Sequence, residues 1–62
     1  MKVKKMIAII EEDGWQLRGL TGSHRQYVHA IKPGKITIPG RPSAELHPKT
    51  TASILQQAGL GK

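Results

Sequence analysis

Trp15-Gln16-Leu17-Arg18-Gly19-Leu20, then Thr21-Gly22-Ser23, then His24-Arg25-Gln26-Tyr27-Val28-His29-Ala30 reads as two alternating strands folded back on a glycine-containing turn. The pairing register decides which side chains share a face, because a slip of one residue moves every side chain across the sheet. If Leu20 pairs with His24 across three residues, Trp15 and Leu17 share a face with Tyr27 and His29. Gln16, Arg18, Leu20, His24, Gln26 and Val28 then occupy the other face. If Thr21 pairs with His24 across two residues, Trp15 and Leu17 instead share their face with His24, Gln26 and Val28. The first register is favoured because it keeps the large aromatics together and leaves Arg18 beside His24. Either way His24 heads a strand at the turn, where an imidazole meets solvent and ligand at once.

Working outward, Val3, Met6, Ile7 and Ile10 fall at i, i+3, i+4 and i+7, one face of a helix over residues 2–13 that Gly14 stops. Its charges oppose its dipole, with lysines early and Glu11, Glu12 and Asp13 late, an arrangement that invites phosphate contact or a partner. Lys32-Pro33-Gly34-Lys35 has the order of a type II turn. It closes a second hairpin onto a strand over residues 35–39, with Ile36 and Ile38 facing the core. Residues 40–47 form a connecting loop, predicted to be the most mobile part. A last helix starts with Pro48 at its first position and runs to Ala58, its stripe formed by Thr51, Ile54, Leu55 and Ala58. Gly59 and Leu60 complete a Schellman ending in which Leu60 packs on Leu55. The predicted fold is α+β: a single domain over residues 1–62, with three antiparallel strands, both helices on one sheet face and the other face open.

Sixty-two residues without cysteine make a thin core with no disulfide and no thiolate metal site to reinforce it. Ten Lys and Arg against four acids give a formal charge of +6. Residues 1–13 net zero, so the excess lies from Gly14 onward, where it would steer a polyanion. No segment is apolar for long enough to span a membrane, and residues 3–10 are too short and interrupted for a secretory leader; a cytoplasmic protein is expected. With one Trp, one Tyr and no Phe, the chain lacks the aromatic platforms that stack single-stranded bases. Binding should rest on phosphates and shape.

The three histidines divide by position. His24, beside the turn and next to Arg25, is the candidate for chemistry. His29 lies an odd offset away, on the opposite strand face, and suits a hydrogen-bonded place at the core margin. His47 precedes Pro48 and suits a helix cap. No histidine pair has helical ligand spacing, so neither a metal nor a cofactor is predicted; Ser23 lacks an acidic orienter for nucleophilic catalysis. RNA cleavage is the reaction this inventory supports. RNA carries its own nucleophile in the 2′-OH, and histidine titrates near pH ~6.5, which suits general acid–base catalysis. Arg18, Arg25 or Lys35 would hold the phosphate, with Gly22 and Ser23 completing the predicted RNA contact. The second proton transfer is left open among water, Tyr27 and a lysine.

Asp13-Gly14-Trp15, Gly22-Ser23-His24-Arg25-Gln26-Tyr27, Ile36-Thr37-Ile38-Pro39 and Ser53-Ile54-Leu55-Gln56-Gln57-Ala58-Gly59-Leu60 together resemble the HicA-type mRNA interferase toxins. The resemblance spans nearly the whole chain in the family's order. It implies a double-stranded-RNA-binding-like α-β-β-β-α fold and ribonuclease activity on mRNA that depends on His24. It also implies a HicB-type antitoxin that covers the active site. The family often carries Arg where this chain has Gly19, with Arg18 displaced by one. It often carries His after the strand-ending proline, where this chain has Gly40.

Overall fold

A computed structural model describes residues 1–61. It orders the chain as α1 (Val3–Glu12), β1 (Trp15–Thr21), β2 (His24–His29), β3 (Lys35–Ile38) and α2 (Pro48–Gln57). The strands form one antiparallel sheet in the order β1-β2-β3, the α+β architecture expected from the sequence.

One face of this sheet carries the core. Trp15, Tyr27, Ile36 and Ile38 meet Val3, Met6 and Ile10 of α1, Ile54 of α2, and Ala58 just beyond it; Leu46, from the connecting loop, joins them. Burying an aliphatic or aromatic side chain of this size contributes about 1.5–3 kcal/mol, so this cluster is what holds both helices on the same face. Along β3 the burial alternates, with Ile36 and Ile38 in and Thr37 out, as a half-covered strand requires.

The β1–β2 pairing combines both predicted registers. Trp15 faces His29, Gln16 faces Val28 and Leu17 faces Tyr27; beyond a bulge, Gly19 faces Gln26, Leu20 faces Arg25 and Thr21 faces His24. The three-residue turn favoured above is therefore corrected to a two-residue one, Gly22-Ser23. Arg18 is the extra residue that absorbs the slip. A bulge lets the aromatic half keep Trp15, Tyr27 and His29 on one face while the turn half adopts the tighter loop. The signal in the sequence is Gly19, since an isolated glycine inside a strand marks such an irregularity.

The helix ends follow their chemistry. Gly14, with φ of 105°, turns the chain out of α1, and Gly14 N–H donates to Glu11 O. At the end of α2 the Leu60 N–H donates to Leu55 O at 2.8 Å and the Gly59 N–H to Gln56 O at 3.1 Å, the two bonds of a Schellman motif. His47 caps α2, its Nδ1 accepting from Lys49 N–H at 3.1 Å. α1 has no side-chain cap. Its first amides are satisfied instead by the connecting loop: Val3 N–H donates to Ala44 O at 2.9 Å and Lys4 N–H to Pro42 O at 3.0 Å, while Leu46 N–H donates to Met1 O at 2.8 Å. A short bridge pairs Lys2 with Glu45. The loop expected to be most mobile is thus pinned along the start of α1, because a helix end without its own cap needs carbonyl acceptors from elsewhere.

Candidate functional site

His24 owes its place to the turn. Gly22, with φ of 58°, is the first central residue, and no non-glycine among the described residues has positive φ; this is the type II′ pattern that matches strand twist in two-residue hairpins. A Cβ on Gly22 would meet nothing within 4 Å, so the glycine serves backbone conformation. His24 then opens β2, exposed, opposite Thr21. Alternation places it with Gln26 and Val28 on the open face. Their partners Gly19, Gln16, Thr37 and Lys35 extend that face across the sheet.

The other predicted residues are spread out. Gly22 and Ser23 adjoin His24 in the turn. Arg25 points to the helix side, where its Nη1 donates to Gly40 O at 3.1 Å. Arg18 lies at the bulge, three positions from Thr21, and so does not stand opposite His24. Lys35 shares the open face but pairs with Val28, four residues along β2 and so about 13 Å from His24. Tyr27 is buried on the helix side. Burial pushes its phenol pKa up, the Glu11 carboxylate adds to the rise and Arg25 opposes it. A phenol on the opposite face of the sheet cannot exchange protons with His24.

The two ends of the molecule differ in charge. The turn, the end of β3 and the starts of both helices lie together at the His24 end, tied by the Arg25–Gly40 contact and the loop-to-α1 bonds. Here Lys2, Lys4, Lys5, Arg25, Arg41 and Lys49 face the single carboxylate Glu45 among the described residues. That carboxylate is itself 3.1 Å from the Met1 amine. Glu11, Glu12 and Asp13 lie at the other end, with Lys32 and Lys35. Counted along the chain, residues 1–13 are neutral. In the fold, α1 delivers its lysines to the His24 end and its carboxylates to the far one.

The far end is a structural clasp. The His29 Nε2 donates to Asp13 O at 2.7 Å, and its Nδ1 accepts from the N–H groups of Ile31 and Lys32 at 3.0 and 3.1 Å. This is the hydrogen-bonded role predicted for His29, and the acceptor role of Nδ1 assigns the ring its Nε2–H tautomer. The Trp15 ring lies edge-on to it, with centroids 5.2 Å apart. Lys32 Nζ donates to Asp13 Oδ2 at 2.5 Å and to Ala58 O at 2.9 Å, and Trp15 Nε1 donates to Asp13 Oδ2 at 3.2 Å. The Lys32 hydrogen bond, above all, holds the Asp13 carboxyl below its ordinary pKa. Sequence reading missed Lys32, since a lysine in a turn looks solvated. It also passed over Arg41, whose place follows only from the strand register.

Among the described residues no group of three or more His, Cys, Asp or Glu side chains is placed to hold a metal ion, and no helix is long and apolar enough to cross a membrane.

A family model described as the HicA toxin of bacterial toxin-antitoxin systems matches residues 3–60. The chain belongs to the HicA toxin family, whose members are the toxin components of toxin-antitoxin pairs. None of the curated proteins compared matches it.

Proposed function

We propose that this toxin is a metal-independent endoribonuclease that cleaves mRNA and so blocks translation, with His24 as general acid/base. One observation supports this above the rest: the other two imidazoles each spend a ring nitrogen on backbone amides, while His24 stands exposed at the most basic end of the molecule. The neutral His24 ring takes the 2′-OH proton as that oxygen attacks the adjacent phosphorus. The P–O5′ bond breaks, leaving a cyclic phosphate and a 5′-oxygen. Tyr27 is on the wrong face and Lys35 is distant, so the leaving group's proton comes from solvent or from a lysine at the His24 end. The Gly22-Ser23 turn adjoins His24 and contributes to RNA contact, while Arg25, held to Gly40 O, adds positive charge at the same end that offsets the negative charge of the developing phosphorane.

The partner in this reading is a HicB-type antitoxin that covers His24, in the cytoplasm. Leu20, on the edge strand one residue before Thr21, is 60% exposed and offers it apolar contact beside the turn.

The test is brief induction of wild type and His24→Ala in cells, followed by growth and mRNA integrity, with cleavage assayed on the purified proteins. Wild type should arrest growth and fragment mRNA while the folded variant does neither. Equal cleavage by both would refute the role of His24. RNA binding without cleavage by either would leave an RNA-binding module in place of an enzyme.

A further inference from the structure

We propose that the RNA backbone passes from His24 over the end of the sheet, its phosphates held by Arg41 and Lys4, instead of lying along the open sheet face toward Lys35. The inference rests on the RNA-cleaving reading above and specifies the path of the substrate.

The strand register places these residues. Arg25 pairs with Ile38, so the antiparallel ladder continued by one step brings His24 level with Pro39. Adjacent strands are about 4.8 Å apart, and Arg41 lies two residues beyond Pro39. Arg25 holds that stretch in place through Gly40 O, which makes Arg25 a positioning residue for Arg41. Pro42, the next residue, accepts the Lys4 N–H, so Lys4 adjoins Arg41 on the far side of the loop. His24, Arg41 and Lys4 therefore form a continuous series from the open face, over the end, to the helix layer. All three are exposed.

The amides at the start of α1 are not the phosphate site. Val3 N–H and Lys4 N–H are already spent on Ala44 O and Pro42 O, which leaves side-chain cations to do the binding. The path along the open face runs past Gln26 and Thr37 toward Lys35, with Arg18 set aside at the edge-strand bulge, and so toward the end that holds Glu11, Glu12 and Asp13. A polyanion moving that way approaches carboxylates; over the loop it gains cations.

The experiment uses the full chain carrying His24→Ala, so that the probe survives, and a short fluorescein-labelled single-stranded RNA of mixed sequence. Affinity is read by anisotropy between roughly 50 and 200 mM salt, where each lost phosphate contact lowers the slope of log K against log salt by about 0.7. Arg41→Gln and Lys4→Gln should each lower the slope by that amount, and the pair by about twice as much. Lys35→Gln, which interrupts the alternative path, should leave it unchanged. Circular dichroism confirms that each variant is folded. If Lys35→Gln lowers the slope and the other two do not, the path is wrong while RNA binding stands. If the parent shows no salt-dependent affinity at all, the RNA reading itself fails and takes this inference with it.

Discussion

Replacing Gly14 with alanine tests the clasp directly. Two costs arise at that position. Its φ of 105° lies where L-residues are strained, which costs about 1–2 kcal/mol. The new Cβ would also stand 2.8 Å from His29 Nε2, closer than real Cβ contacts come, so the ring must move. It is held by Asp13 O on one side and by the Ile31 and Lys32 N–H groups on the other. Each bond released costs about 1 kcal/mol net. Together the loss is about 2–4 kcal/mol, a large share of the roughly 3–9 kcal/mol that about 0.05–0.15 kcal/mol per residue assigns to a chain this short. Urea unfolding followed by the fluorescence of Trp15, which packs edge-on to His29, reads the change. With m near 1 kcal/mol/M, the midpoint falls by about 2 M or more. Gly22→Ala is the control, because its φ is also positive but its Cβ meets nothing within 4 Å; it should show the conformational part alone. In a double-mutant cycle, His29→Ala should remove the excess cost at Gly14. Equal losses for Gly14→Ala and Gly22→Ala, or additive losses in the cycle, would refute the contact argument.

Three further outcomes follow from single side chains. Thr51 Oγ1 is buried with no hydrogen-bond partner among the described residues, so Thr51→Val should keep stability or raise it by up to about 1 kcal/mol; a loss of that size in urea unfolding would mean the hydroxyl is bonded. Asp13 has a lowered pKa in the folded state, chiefly through its Lys32 hydrogen bond, so its contribution is present above the unfolded value near 3.9 and disappears as pH falls through the folded one. The stability gap between wild type and Lys32→Met should therefore narrow below about pH 4, and a gap unchanged from neutral pH to pH ~2 would remove Asp13 from the account. Tyr27, with its pKa raised by burial, contributes stability below the unfolded value near 10 that fades as pH rises through the folded one. Ultraviolet titration of this single tyrosine should show it ionising together with alkaline unfolding, and ionisation in the intact fold at the ordinary value would contradict its burial.

Features governed by local chemistry were legible in the sequence. The spacing of Val3, Met6, Ile7 and Ile10, the Gly14 stop, Pro48 behind a capping His47, and the Gly59-Leu60 ending each depend on neighbours within one or two turns, and each appears where it was read. Gly34 has the positive φ, 80°, that its predicted position asks for, although β2 and β3 pair only from Val28 and Lys35 inward, so the connection is longer than that four-residue turn. The misses involve partners distant in sequence. The bulge at Arg18 reconciles a turn preference with an aromatic face, and neither register alone contains it. The loop over residues 40–47 is pinned by main-chain carbonyls, Pro42 O and Ala44 O, which carry no side-chain signature. Lys32 joins Asp13 and Ala58 from residues 19 and 26 positions away. At the candidate site, His24 could be picked out by its turn, but its surroundings could not. Only the ladder shows that Arg25 turns away from it and that the end of β3 lies beside the start of β2.

Charge connects these points. Neither helix has an acid in its first turn or a base in its last, so both dipoles go uncomplemented by their own residues, at about 0.3–1 kcal/mol for each adverse charge. At the far end the fold answers this with one residue: Lys32 binds Asp13 at the end of α1 and the Ala58 carbonyl at the end of α2. At the His24 end no matching acid is supplied beyond Glu45, and the lysines of α1 are instead gathered with Arg41, Arg25 and Lys49. A chain selected for stability alone gains from carboxylates at two helix starts. One that receives RNA beside His24 needs those positions basic, and a bound polyanion relieves both the mutual repulsion and the adverse dipoles. Because a ligand stabilises whatever state binds it, the strain left at that end is what RNA binding would offset.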